Sequence, residues 1–266
     1  MSFTLTILGC GSSAGVPRVG LGWGAADPNN PKNRRRRCSI LVERDGPQGR
    51  TSVLVDTSPD LREQLLSADV RRLEAVLITH DHADHTHGID DLRPLVIHMR
   101  RRMPVYSDEA TSRVLHQRFG YCFETPPGSD YPPILDDHRI DHDRPVTIDG
   151  PGGPIEAVPF VVEHGSPRAL GFRFGDVAYL PDVSAVPDGA RARLQGLDLL
   201  ILDALRYTPH PTHFSVAEAL TFIAEMRPRR AVLTNMHTDL DFETLRRELP
   251  DGVEPAFDGM RLPWTP

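Results

Sequence analysis

Apolar residues recur at two distinct spacings along the 266-residue chain. Phe3 to Leu8 alternates apolar with polar positions and ends in Gly9-Cys10-Gly11, which predicts a strand running into a glycine turn. Ser39 to Val42 and Ser52 to Val55 predict a strand pair joined through Asp45-Gly46-Pro47. Glu74 to Thr79, Ile155 to Val162, Leu170 to Phe174, Val177 to Leu180, Leu197 to Leu202 and Ala231 to Thr234 are further runs of strand length. Pro59 to Leu66, Gly88 to Arg102, Thr111 to Phe119, Val216 to Met226 and Phe242 to Leu249 carry apolar residues at helical spacing. Strand and helix alternate throughout, which favours α/β layers over an all-β or all-α answer. Residues 120–145 break the pattern with six acidic residues, two arginines and the pairs Pro126-Pro127 and Pro132-Pro133. They read as a Pro-rich acidic insertion in one domain spanning 1–266, with no internal repeat and no dividing linker.

Composition narrows the class. A hydrophobic share of 39% supports globular folding, and 21 glycines with 25 prolines exclude a long coiled coil. Cys10, Cys38 and Cys122 supply no disulfide framework, which points to a reducing compartment. No basic leader opens the chain and no apolar run nears the roughly 18 residues of a membrane span, so the expectation is a soluble, cytoplasmic protein without a membrane partner. The formal net charge of -7 disfavours a long nucleic acid as partner but leaves room for a local anion site. A homodimer is compatible with all of this. Twelve histidines stand out, since histidine is the commonest metal ligand.

They cluster. The strand Glu74 to Thr79 runs directly into His80-Asp81-His82-Ala83-Asp84-His85, three histidines and the carboxylate of Asp84 within six residues. In a loop at a strand end, His80 and His82 can meet one cation while Asp84 and His85 face a second. Other candidates follow apolar strands in the same way: His164 after Val161-Val162, Asp182 after Ala178-Tyr179-Leu180, and His237 after Ala231 to Thr234. Strand ends on one side of a sheet converge on one site. Five histidines and two aspartates would fill two divalent metal sites with positions left for water or substrate. Histidine-rich ligation suits zinc, and the two carboxylates admit manganese.

The His80 to His85 segment resembles the HxHxDH signature of the metallo-β-lactamase-fold hydrolases, and the likeness covers nearly the whole chain. Leu8 to Pro17, Arg37-Cys38-Ser39, Pro211-Thr212-His213-Phe214-Ser215 and Phe257-Asp258-Gly259-Met260 are similar to the branch containing tRNase Z and the PhnP-like phosphoribosyl cyclic phosphodiesterases. The resemblance implies an α/β fold of the αβ/βα four-layer sandwich type. It implies that His80, His82 and His164 hold one metal, that Asp84, His85 and His237 hold the second, and that Asp182 bridges them. It also implies that His213 is the acid for the leaving group and that Asp56 braces the ligand loop; Asp203, at the end of Leu199-Leu200-Ile201-Leu202, is placed to orient His213, as carboxylates commonly orient catalytic imidazoles. The catalytic set is thus His213, Asp84 and Asp203. The segment Trp23 to Pro28 lacks the cysteine cluster that holds an additional structural zinc in related proteins, so none is expected.

The function implied is a binuclear-metal phosphodiesterase, in which metal-activated water hydrolyses a small cyclic or nucleotide-like phosphodiester such as 5-phosphoribosyl 1,2-cyclic phosphate. Competing readings are a tRNA 3′-processing endonuclease, a non-catalytic metal carrier on the same fold, and lactone or thioester hydrolysis by the same metals. The loop Gly11 to Arg18 offers amides and hydroxyls for phosphate. The runs Arg34 to Arg37 and Arg100 to Arg102 read first as solvated faces, with a phosphate clamp as the functional alternative for the former. His87, His98, His116, His138, His142 and His210 carry no assigned chemistry, though His210 suits a pocket rim.

Overall fold

The apolar runs build two seven-stranded sheets in the computed structural model, which describes residues 2–166 and 168–265. The first sheet contains β1 (Ser2–Gly9), β2 (Ser39–Gly46), β3 (Gly49–Val55), β4 (Ala75–Leu77), β5 (Met103–Ser107) and β6 (Leu135–Arg139). The second contains β7 (Val146–Ile148), β8 (Ile155–Val162), β9 (Ala169–Phe174), β10 (Val177–Leu180), β11 (Leu199–Asp203), β12 (Arg230–Thr234) and β13 (Val253–Pro255). Strand β14 (Arg261–Trp264) returns to pair with β1, so the first sheet runs β14-β1-β2-β3-β4-β5-β6 and the second β13-β12-β11-β10-β9-β8-β7. Each sheet mixes antiparallel hairpins with a parallel stretch, β3-β4-β5-β6 in one and β10-β11-β12-β13 in the other.

Side chains alternate across a strand, and the buried residues sort accordingly. Ile40, Val42, Val53, Val55 and Leu77 join Phe160, Phe172, Tyr179 and Ile201 in the core between the sheets. Their neighbours Leu41, Leu54 and Val76 face the other way, onto α1 (Leu61–Ser67), the helix α3 (Arg93–Met99) beyond the short α2 (Ala83–Thr86), and α4 (Glu109–Phe123). The opposite outer layer holds α5 (Asp188–Arg191), α6 (Val216–Met226) and α7 (Phe242–Glu248). Helix α6 begins in a capping box between Ser215 and Glu218 and buries Val216, Ala219, Phe222, Ile223 and Met226 on one stripe. The result is the four-layer αβ/βα sandwich.

Two sequence expectations need correction. Residues 135–139 lie not in an insertion but in β6, paired in register with β5, and Ile134, Leu135 and Ile140 are buried. The acidic residues that disguised this strand occupy positions with basic partners, Asp136 with Arg102 and Asp137 with Arg139. The Arg34 to Arg37 run is not a uniform solvated face, for Arg34 is exposed while the three that follow are engaged by the protein itself. Arg35, 2% exposed, donates to the Asn33 side chain and to the carbonyls of His237 and Leu240, while Arg36 pairs with Asp258 and Arg37 with Asp60. The run ties the N-terminal loop to the loop after β12. In the second run Arg101 likewise donates to the Leu73 and Glu74 carbonyls.

Gly9 sits where these segments meet. A Cβ there would lie 2.0 Å from the Arg37 carbonyl oxygen, a backbone atom with little room to yield. Gly9→Ala is expected to destabilise the fold by about 1–3 kcal/mol, read as a lowered midpoint in urea denaturation. An unchanged midpoint would show that the 35–38 segment can move aside.

Candidate active site

Buried strands end where the sheets come together, and their last residues supply the polar groups. Backbone hydrogen bonds stitch the two sheets at this end: Leu170 N to the Thr79 carbonyl at 2.9 Å, and Met236 N to the Cys10 carbonyl at 2.9 Å. His80 to His85 follow β4, His164 follows β8, Asp182 follows β10, Asp203 ends β11, and Asn235 to His237 follow β12.

One ligand atom from each of His80, His82, His164 and Asp182 lies within 4.8 Å of all the others. Asp182 is the hub. Its carboxylate is 3.3 Å from His164 Nε2, 3.7 Å from His80 Nε2 and 3.3 Å from His85 Nε2. Asp84 stands 3.5 Å from the same nitrogen of His85. The remaining imidazole nitrogens are held from behind. Thr79 Oγ1 is 3.0 Å from His80 Nδ1, the Thr212 carbonyl accepts from His164 Nδ1 at 2.8 Å, and Asp56 accepts from His85 Nδ1 at 2.7 Å. These bonds fix the tautomers, so that the Nε2 lone pairs face the cluster.

The donor set fits metal ions. His80 Nε2 and His85 Nε2 are buried without a hydrogen-bond partner among the described residues, and His164 Nε2 meets His82 Nδ1 at 3.3 Å, nitrogen against nitrogen. Unpartnered imidazole nitrogens beside buried carboxylates satisfy one another through a shared cation. Burial, reinforced by the neighbouring imidazoles His85, His164 and His82 against the opposing charge of Asp182, holds the His80 pKa well below its ordinary value and keeps the ring a neutral donor. For Asp182, burial works to raise the pKa, but His85, His80 and His164 outweigh it and hold the carboxylate anionic.

His237 lines the same cavity but is not among the four clustered donors. Its Nδ1 lies 3.1 Å from Thr238 Oγ1 and 3.2 Å from Asp239 Oδ1. His213 stands with its ring 4.6 Å from that of His164 and its Nδ1 2.7 Å from Asp203. Asp203 is fully buried and also accepts from Val183 N and from Asn235 Nδ2. Burial pushes the Asp203 carboxyl up. Burial opposes charge on His213 too, yet Asp203 raises its pKa, so the pair keeps a proton near neutrality.

All of this opens on a cavity of about 300 Å³, lined also by Ser12, Ser13, Arg18, Arg206 and His210. Sequence reasoning missed Asn235, which links Asp182 and Asp203 through one amide. Its signal was position alone, two residues before His237 at a strand end. Arg206 was missed as well. His87, His116 and His138 pack on Phe119, Phe123 and Tyr106, away from the cluster.

Residues 51–236 match the family model described as beta-lactamase superfamily domain. The crystal structure of a diphosphatase from the PhnP family superposes with a TM-score of 0.89 at 37% identity, covering 99% of this chain and 98% of that one. The chain belongs to the beta-lactamase superfamily, in its PhnP family. Human tRNase Z, short form, shares the fold, with a TM-score of 0.64 at 19% identity over 97% of this chain and 98% of its own. An octanoyltransferase of Porphyromonas gingivalis is 31% identical over 96% of this chain, but the chain spans only 50% of that protein. With superfamily membership and a His/Asp metal site in hand, the protein is a metal-dependent hydrolase. No helix among the described residues is long and apolar enough to cross a membrane.

Asp56 gives this hydrolase site a direct test. Its backbone is left-handed, at a φ of 66°, a conformation aspartate tolerates better than most residues. Besides His85 it accepts from Thr79 N at 2.8 Å and from Thr79 Oγ1. Asp56→Ala should weaken metal affinity roughly 10- to 100-fold, measured by competition with a chromogenic chelator. Wild-type affinity would show that Asp56 serves the backbone alone.

Proposed function

We propose that the chain is a binuclear phosphodiesterase acting on a small cyclic or nucleotide-like phosphodiester, such as 5-phosphoribosyl 1,2-cyclic phosphate. The observation that carries this reading is the pairing, in one cavity, of the His/Asp cluster with the His213–Asp203 couple at 2.7 Å. His80, His82 and His164 would hold one divalent ion and Asp84, His85 and His237 the other, with Asp182 available to both. His237 is the donor with the least support, since Thr238 and Asp239 engage its ring. Zinc suits this set, and manganese is the alternative. When bound, the ions supply Lewis acidity towards a phosphoryl oxygen and make water a competent nucleophile near neutral pH.

The protein's own part is positioning and proton transfer. Asp203 holds His213 by Nδ1, which leaves Nε2 to donate a proton to the departing alkoxide oxygen as its bond to phosphorus breaks. Asn235 donates to both Asp203 and Asp182 and so sets the acid at a fixed place relative to the cluster. A cavity of about 300 Å³ suits a sugar phosphate or mononucleotide rather than an extended RNA, which favours a small substrate over tRNA. The diphosphatase likeness at 37% identity supports phosphoryl chemistry over lactone or thioester hydrolysis.

With bis(p-nitrophenyl) phosphate as substrate, His213→Ala is expected to lower kcat by roughly 10²- to 10⁴-fold while retaining its metal, as counted by elemental analysis. Full turnover in a metal-replete variant would remove His213 from the acid role. Exhaustive chelation should abolish turnover, and titration with Zn²⁺ or Mn²⁺ should restore it with a break at two equivalents per chain. A break at one equivalent would overturn the binuclear assignment.

A further inference from the structure

One histidine of the cavity has no part in the chemistry described so far. His210 lines it beside Arg206, Thr212 and His213, half-buried, with its ring 5.1 Å from that of His213. The His213 ring is itself 4.6 Å from that of His164, so three imidazoles step outward from the buried cluster to the cavity rim. The backbone decides where the His210 proton sits. Thr212 N donates to His210 Nδ1 at 3.3 Å, and the Thr212 hydroxyl lies 3.3 Å from the same nitrogen. A ring nitrogen that accepts from a main-chain amide carries no proton, so the neutral ring is protonated on Nε2. No hydrogen bond engages that Nε2 among the described residues. Burial, with the nearby charges of His213 and Arg206, lowers the His210 pKa and keeps the ring neutral near pH 7.

The ring is also held in place. Pro209 and Pro211 flank it, and a proline narrows its own φ and turns the residue before it away from helical backbone. Arg206 closes the loop behind the ring, donating from Nε to the Thr208 carbonyl at 3.1 Å and from Nη2 to the Pro209 carbonyl at 2.9 Å. Thr212 then sets the spacing: its N–H holds His210 Nδ1, while its carbonyl accepts from His164 Nδ1 at 2.8 Å. One residue thereby fixes two imidazoles relative to each other, one in the metal cluster and one at the rim. A solvated surface histidine needs none of this support, whereas a donor that must meet charge at a defined place does.

We infer that His210 is a catalytic residue, which donates from Nε2 to a non-bridging oxygen of the phosphoryl group being cleaved. This deepens the phosphodiesterase reading and rests on it for the identity of that group. With the leaving oxygen against His213, two rings 5.1 Å apart can reach two oxygens of one tetrahedral phosphorus centre. Their roles differ. His213 gives its proton to the leaving oxygen, whereas His210 keeps its own throughout, and no bond to the His210 ring forms or breaks. Negative charge on the phosphoryl oxygens is then met by a donor oriented before the substrate arrives.

Tautomer, binding and turnover are read separately. In ¹⁵N spectra of the histidine-labelled, zinc-loaded chain, His210 should appear as the Nε2–H form, and the Nδ1–H form would overturn the assignment. Inorganic phosphate, titrated calorimetrically into the zinc-loaded chain, should bind about tenfold more weakly to His210→Ala than to the wild type. His210→Gln should fall between them, since glutamine sets an amide N–H near the place of Nε2. With thymidine 5′-(p-nitrophenyl phosphate), His210→Ala should lower kcat by roughly 10²-fold at unchanged metal content, and His210→Gln should recover part of the loss. The two phosphorothioate diastereomers of that substrate separate contact from support. One should keep its sulfur penalty when Cd²⁺ replaces Zn²⁺, and that penalty should disappear in His210→Ala, where the oxygen has no partner left to lose. A surviving penalty of the same size in wild type and variant, no penalty that survives Cd²⁺, or equal phosphate affinity in both overturns the inference. If the wild type turns over no phosphodiester while phosphate affinity still falls in His210→Ala, the phosphodiesterase reading fails and the contact to a phosphoryl oxygen stands.

Discussion

Burying a carboxylate costs several kcal/mol unless positive charge and hydrogen bonds meet it, and Asp182 lies 3% exposed at the end of a wholly buried strand. Three imidazoles stand within 3.7 Å of it, and two of their nitrogens are orphaned. His80, kept neutral by burial, and anionic Asp182 cannot satisfy one another directly, because both are acceptors, and against the pull of burial Asp182, Asp56 and Asp84 raise the His85 pKa well above its ordinary value, which marks a site that demands positive charge. A divalent cation resolves the conflict in one step. The rest of the site follows from this requirement: each histidine must present a lone pair inward, so each needs a partner behind it, and Thr79, Thr212 and Asp56 supply those partners.

Holding so many polar groups at one place demands a rigid frame. The two sheets provide it by bringing strand ends together and joining them through main-chain bonds across Thr79–Leu170 and Cys10–Met236. Two residues there adopt left-handed backbone without being glycine, Asp56 and Asn235. Each is an amino acid that accepts this conformation, and each uses its short side chain to brace a neighbour, His85 in one case and Asp203 in the other. At these two positions the left-handed backbone serves orientation. Arg35 performs the matching task from the other direction, since a guanidinium spanning the carbonyls of His237 and Leu240 fixes the loop that carries His237.

Much of this was legible in the chain because strands buried on both faces read as continuous apolar runs, and the residue ending such a run is conspicuous when it is His or Asp. His80, His164, Asp182 and Asp203 stand out in that way, and the structure brings them to one end of the sheets. Strand β6 does not, because its sequence Leu135-Asp136-Asp137-His138-Arg139 has an edge strand's polarity, and the partner of Asp136, Arg102, lies 34 residues away. The arginine run misled for the same reason: which of four adjacent guanidiniums turns inward depends on carbonyls some 200 residues away, as the contacts of Arg35 to His237 and Leu240 show. Asn235 and Arg206 lay outside any recognisable pattern. The bridge that Asn235 makes to Asp203 exists only once β11 and β12 are side by side.

The charge of the molecule divides by the same logic. A net of -7 would repel a phosphate ester if it acted as a uniform field. At physiological ionic strength, however, exposed charges are screened beyond about 8 Å, whereas groups in a partly enclosed cavity are screened far less. What an approaching anion meets at the cavity is set by Arg18, Arg206 and the metal site around Asp182, and the acidic exterior adds only a weak long-range penalty that grows with the size and charge of the ligand. A long polyanion lies along the exterior and bears that penalty over its whole length. A compact one enters the cavity and escapes most of it, so this charge distribution favours the small phosphate ester proposed above over a nucleic acid strand.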